Sequence, residues 1–203
     1  LCLGKSLGGR RLFGNVDVLL GAGEIMAASG PSGCGKTTLG NLLLGLIEPD
    51  AGSVRRMAGV APHRFQKLYQ DPIAAFAPGA TLKTALEDVI RRHGLDWRRA
   101  NDLLDRMRVG RDLLERLPGE VSGGELQRIA LARALLVDPV FLFADEATSR
   151  LDPITQQEVM DLLRGVVADH GLAVLMVTHD RALAAGMASR ILALPPSGVA
   201  AAA

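Results

Sequence analysis

An α/β fold built on a mainly parallel, buried sheet is what this sequence predicts, and three patterns carry that expectation. Short, continuously apolar runs recur, as at 140–144 and 172–177, and runs without polar alternation suit parallel strands covered on both faces. Between them lie longer segments whose apolar residues return every three or four positions, as amphipathic helices require. One such strand and one such helix are joined by a glycine-rich loop, Gly30-Pro31-Ser32-Gly33-Cys34-Gly35-Lys36-Thr37-Thr38.

Taken in order, residues 1–23 are rich in glycine and arginine, with a strand expected at 16–20 and a turn at Gly21-Ala22-Gly23. A strand at 24–29 then delivers the loop, which matches G-x-x-x-x-G-K-[ST] at Gly30, Gly35, Lys36 and Thr37. Read alone, the loop is either a phosphate site or a glycine-rich turn that contains Lys-Thr; the flanking strand and helix favour phosphate. Glycines let backbone N–H groups curl around phosphate oxygens, and the next helix aims its positive end at the same anion. Lys36 would bridge β- and γ-phosphates, and the Thr37 hydroxyl would hold Mg²⁺. Leu39, Leu42, Leu43, Leu46 and Ile47 continue the helix to a breaker cluster at 48–52, followed by a short strand expected at 53–60 and another at 66–70.

From 71 to 137 the pattern is helical. Thr81 caps a helix that buries Leu82, Leu86, Val89 and Ile90 and stops at Gly94, and Trp97, Ala100, Leu104 and Met107 form a second stripe read as core packing. Ser122-Gly123-Gly124-Glu125 has the S-x-x-E spacing of a capping box, with Leu126, Ile129, Ala130 and Val137 on the apolar face. The last third returns to strands at 140–144, 172–177 and 190–194. Asp152-Pro153 opens a helix that ends near Gly171, and another helix starts near Asp180. The chain therefore reads as a single domain, 1–203, in which a helical subdomain (71–137) is set into a core formed by 1–70 and 138–203.

Composition narrows the function classes. A formal net charge of +1 argues against a nucleic-acid footprint. Hydrophobic residues make up 48% of the chain, yet no unbroken apolar run approaches the roughly 20 residues of a membrane-spanning helix. No N-terminal signal pattern is evident, and Cys2 and Cys34 form no disulfide framework, which suits a reducing cytoplasm. The start at Leu1 and the run Ala200-Ala201-Ala202-Ala203 read as trimmed ends, with a tail expected to lack fixed structure.

Downstream of the loop, Gln70 follows a strand, Ser122-Gly123-Gly124-Glu125-Leu126-Gln127-Arg128 opens a helix, and two apolar strands deliver Asp145-Glu146 and Thr178-His179-Asp180. In this order the motifs resemble the nucleotide-binding subunit of ATP-binding-cassette (ABC) transporters, over nearly the whole chain. The resemblance implies a P-loop NTPase core with a mainly parallel sheet, a helical subdomain and an N-terminal antiparallel β region.

It also weighs the residues. Alone, Asp145-Glu146 reads equally as a solvated turn or as catalytic carboxylates. Within the family pattern Asp145 holds Mg²⁺ through water and Glu146 orients or deprotonates the attacking water. His179, otherwise an ordinary loop or core histidine, becomes a γ-phosphate contact, and Gln70 the Q-loop residue that reaches Mg²⁺ and the water. Ser122, Gly123, Gly124 and Glu125 match the signature that meets the nucleotide of the opposite subunit, so two ATP molecules lie between two head-to-tail domains. Ser149-Arg150-Leu151-Asp152 matches the D-loop at that interface, with Arg150 where a small residue is common. The position that usually stacks on adenine falls near Leu7; Phe13 is the nearby aromatic, with base contact and packing beneath the strand left as equal alternatives.

The stretch Asp71-Pro72-Ile73-Ala74-Ala75-Phe76-Ala77-Pro78 resembles the dipeptide, oligopeptide and nickel importer ATPases, although 52–66 is shorter than usual there and the group's common C-terminal extension is not seen. The implied function is hydrolysis of ATP, with Mg²⁺ as cofactor, to power import of a small solute of the peptide, nickel or metal-chelate class. The implied partners are a second ATPase subunit (identical or paralogous), membrane permease subunits and, indirectly, a solute-binding protein. The expected place is the cytoplasmic face of the inner membrane. The alternatives are a soluble ABC ATPase without transport and a regulatory nucleotide-binding module.

Overall fold

The computed structural model describes residues 2–149 and 151–197. Arg150, singled out above, and the alanine tail lie outside the described residues. Among the described residues seven strands are seen: β1 (Leu3–Leu7), β2 (Arg10–Val16), β3 (Ile25–Ser29), β4 (Phe65–Leu68), β5 (Phe141–Asp145), β6 (Ala173–Val177) and β7 (Arg190–Ala193). The helices are α1 (Lys36–Leu44), α2 (Leu82–His93), α3 (Trp97–Arg106), α4 (Gly123–Leu135), α5 (Pro153–His170) and α6 (Arg181–Met187).

Five strands form one sheet in the order β4-β5-β6-β3-β7, every pair parallel. Alternate residues explain why the runs are apolar throughout. Ile25, Ala27, Leu142, Ala144, Val174 and Met176 pack into one cluster with α4 and α5, while Met26, Ala28, Phe141, Phe143, Leu175 and Val177 pack into another. Both faces are thus removed from water. The helical region spans α2, α3 and α4, and its caps follow side-chain chemistry: Thr81 Oγ1 accepts from Thr84 N at 3.2 Å, and Asp96 Oδ1 accepts from Arg98 N at 2.8 Å. Among the described residues no helix is long and apolar enough to cross a membrane.

The N-terminal segment departs from the expected pattern. No strand occupies 17–20; β2 lies earlier and pairs antiparallel with β1, from Leu7↔Arg10 to Leu3↔Val16. The turn between them is Gly8-Gly9, both at positive φ (58° and 77°), as a tight hairpin turn demands. Once β1 runs out at Leu3, the next residues have no ladder partner, and Val18 and Leu20 instead pack as half-buried side chains against the sheet. The strand expected at 53–60 is likewise not formed. Gly52 and Gly59 take positive φ (78° and 77°), and Arg56 Nε donates to Leu43 O at 2.9 Å, so this segment is held as a loop by side-chain contacts. Two further boundaries move: α1 ends at Gly45 in the left-handed conformation, leaving Leu46 exposed, and β4 ends at Leu68, two residues before Gln70.

Candidate active site

Parallel pairing brings the carboxyl ends of β3, β4, β5 and β6 to one edge of the sheet, with Asp145 level with Val177. Ligands of open α/β sheets gather at that edge. The loop 30–35 leaves β3 there and turns into α1, whose N-cap is Gly35 at φ 102°. A Cβ on Gly35 would meet Phe13 ring carbons at 2.8 Å. Phe13 is therefore the floor of the loop: its side chain is fully buried with Leu12, Cys34, Leu39 and Leu42. This settles the two alternatives for Phe13 in favour of packing, and Leu7, at 66% exposure, supplies no aromatic face.

Within the loop, Lys36 is buried and its Nζ donates to the carbonyls of Gly30 (2.9 Å) and Pro31 (3.0 Å). Pro31, Ser32 and Gly33 are exposed, and Thr38 lies one residue into the helix after Thr37. The Cys34 side chain is fully buried, and its N–H donates to Pro31 O at 3.3 Å.

Two groups of side chains meet at the sheet edge. Thr37 Oγ1 donates to Asp145 Oδ1 at 3.0 Å, joining α1 to β5. Glu146 is flanked by Gln70, whose Nε2 donates to Oε2 at 2.9 Å, and by His179, whose Nε2 lies 2.9 Å from Oε1. Glu146 takes a left-handed backbone (φ 50°) while its N–H donates to Val177 O at 3.0 Å. A non-glycine residue held in that region costs on the order of 1–3 kcal/mol and is a feature of functional sites. Thr178 Oγ1 accepts from Asp180 N at 3.0 Å, fixing the turn that presents His179.

The structure thus assembles the loop, Gln70, Asp145, Glu146 and His179. Ser122, Gly123, Gly124 and Glu125 are used differently. Ser122 Oγ accepts from Glu125 N at 3.3 Å, and Glu125 Oε2 accepts from Ser122 N (2.9 Å) and from the Ser122 hydroxyl (2.6 Å). The Ser122 side chain, then its backbone N–H, holds the Glu125 carboxyl below its ordinary value. Among the described residues none of the four bonds to the loop or to Glu146. Gly123 lines a cavity of about 180 Å³ with Gln70, Gln127 and Ala147.

One participant escaped the sequence reading. Lys67, on β4, places Nζ 3.4 Å from Asp145 Oδ2 and 3.1 Å from Asn41 Oδ1. The available signal was a lysine inside a strand of an otherwise apolar sheet, three residues before Gln70.

Comparison with known proteins identifies the family. The family model described as ABC transporter matches residues 13–149. The nickel import ATP-binding protein NikE of Escherichia coli K12 is 34% identical over 200 residues, covering 90% of this chain and 74% of that protein. A Brucella ovis protein provisionally named a peptide import ATP-binding protein is also 34% identical, covering 91% of this chain and 63% of its own length. Among solved structures, the dimeric bacterial ABC transporter cassette MJ0796 superposes with a TM-score of 0.80 at 26% identity, over 96% of this chain and 92% of that one. A second dimeric MJ0796 structure, in a post-hydrolysis state bound to ADP and Pi, matches with a TM-score of 0.80 at 25% identity, over 96% of this chain and 93% of that one. With a relative at 34% identity spanning nine-tenths of its length, and the family model lying across its phosphate loop and both carboxylates, the chain belongs to the ABC transporter family.

Proposed function

We propose that this chain is the peripheral ATPase subunit of an ABC importer for a small solute of the peptide, nickel or metal-chelate class. The observation that carries the reading is the convergence of Gln70 and His179 on Glu146 beside the Thr37–Asp145 pair, at the edge where the phosphate loop opens. The names of the relatives, nickel and peptide import ATP-binding proteins, support import over a soluble ATPase or a regulatory module.

The residues suit ATP with Mg²⁺. Thr37 and Asp145 offer hard oxygen donors 3.0 Å apart, and the Gln70 amide, donating through Nε2 to Glu146, keeps its oxygen for a cation. When bound, Mg²⁺ neutralises charge on the phosphate oxygens. Backbone N–H groups of 32–38 and the start of α1 cradle the phosphates, and Lys36 exchanges the Gly30 and Pro31 carbonyls for phosphate oxygens. Glu146 accepts the proton of the attacking water, Gln70 orients that carboxylate, and His179 contacts the γ-phosphate.

Ser122, Gly123 and Gly124 lie outside this hydrogen-bonded group, which fits a site completed in trans by a second copy or a paralogue. Ser149, Leu151 and Asp152, which match the D-loop pattern, suit the same interface. The helical subdomain, 71–137, connects through Gln70 to the permease subunits at the cytoplasmic face of the inner membrane, with a solute-binding protein engaged indirectly. The test is co-expression with permease subunits encoded beside its gene. The chain should co-purify with them in detergent, and their reconstitution should make its ATPase respond to the loaded binding protein. Full activity with no permease association would overturn the importer reading.

A further inference from the structure

Lys67 sits among groups from three elements. Its Nζ is 3.4 Å from Asp145 Oδ2 at the end of β5 and 3.1 Å from Asn41 Oδ1 on α1, and it lies over the rings of Phe143 (5.2 Å) and Tyr69 (5.1 Å). Both members of the ion pair keep only 13% of their side-chain surface exposed, so solvent screens this contact less than it screens the protein's outer ion pairs. The placement follows from register: Lys67 is level with Phe143 on the neighbouring strand, and Asp145, two residues on, shares the face covered by α1. Asn41 stands one helical turn after Thr37, so a ring Thr37–Asp145–Lys67–Asn41 closes on α1.

The two Asp145 oxygens are therefore divided. Oδ1 accepts from Thr37, and Oδ2 faces the ammonium. A divalent cation held by Thr37 and Asp145 must share that carboxylate with a fixed positive charge already beside it. We propose that Lys67 is a positioning residue that fixes the Asp145 carboxylate and sets how strongly Mg²⁺ is coupled to ATP binding, weakening that coupling by charge repulsion. This rests on the reading of Thr37 and Asp145 as the Mg²⁺ residues. It makes Lys67 a moderator of metal loading: the phosphate loop can take nucleotide with less dependence on the cation, and the cation can leave more readily after hydrolysis.

The experiment is calorimetric titration of the full chain with ATP, with excess Mg²⁺ and with chelator, for wild type, Lys67→Met, Lys67→Gln, Lys67→Arg and Asp145→Ala. The quantity read is the ratio of the two ATP affinities, which a general loss of stability or of phosphate binding leaves unchanged. Lys67→Met and Lys67→Gln should raise the ratio about fivefold or more, because a positive charge 3.4 Å from the Asp145 carboxylate is removed. Lys67→Arg, which keeps the charge, should retain the wild-type ratio, and Lys67→Gln decides the matter if the methionine variant does not fold. An unchanged or lower ratio in the neutral variants, with the ratio abolished in Asp145→Ala, overturns the role of Lys67 alone. A wild-type ratio in Asp145→Ala overturns the metal reading of Asp145 and the proposal with it.

Discussion

Glu146 and His179 meet at 2.9 Å across the ends of adjacent strands, Oε1 to Nε2, with the carboxylate mostly shielded and the imidazole mostly exposed. The left-handed backbone at Glu146 and its N–H bond to Val177 aim the carboxylate at the histidine turn. The contact joins a candidate base to a candidate phosphate sensor. Glu146→Gln keeps the side-chain shape and removes the base. Steady-state ATPase activity should fall about 100-fold or more, as loss of general-base help implies. Size-exclusion chromatography with ATP should show an accumulated dimer; phosphate release near the wild-type rate would remove Glu146 from the chemistry.

Lys36 spends its charge on two loop carbonyls in this structure. Lys36→Ala should weaken ATP binding roughly 10- to 100-fold, the span expected for a charge-assisted contact. Fluorescent-nucleotide titration measures it, and AMP, which lacks the β- and γ-phosphates, should be much less affected.

Phe13 supports the loop from beneath and, fully buried, exposes no ring face for a base to stack on. Phe13→Ala should lower stability by about 3–5 kcal/mol, as other deletions of buried aromatic rings do. Denaturant unfolding reads the loss, while the ratio of ATP to GTP affinity should stay at the wild-type value. Gly35→Ala tests the same packing from above: its φ of 102° and a Cβ 2.8 Å from the Phe13 ring predict loss of both stability and nucleotide binding.

The capping box at α4 makes stability depend on pH. The Glu125 carboxyl is held below its ordinary value of 4.5 by the Ser122 hydroxyl and N–H. A lowered folded value means the stabilisation is fully present above 4.5 and is lost as pH falls through the lower folded value. Glu125→Gln should therefore melt below wild type at neutral pH, with the gap closing on acidification. A gap of constant size from neutral to acid pH would show that the carboxylate charge plays no part in the cap.

Much of this protein was legible because the determining interactions are local. The phosphate loop's turn into α1, the Thr81 and Ser122 caps and the Asp152-Pro153 helix start each depend on neighbours within a few residues, so residue type and spacing suffice. Gln70, Asp145, Glu146 and His179 were found through motif order, but their meeting was not readable from spacing. Gln70 and Glu146 are 76 residues apart and touch only because β4 and β5 pair in parallel register. The same long-range terms decided what the chain pattern left open. The β1–β2 pairing drew the N-terminal strand away from 17–20, burial beneath Gly35 made Phe13 a floor, and register set Lys67 against Asp145. Local chemistry determined the helices, the phosphate loop and the apolar strands of the parallel sheet. Only the tertiary structure decided which charges share one carboxylate, because that depends on strand order and register rather than on distance along the chain.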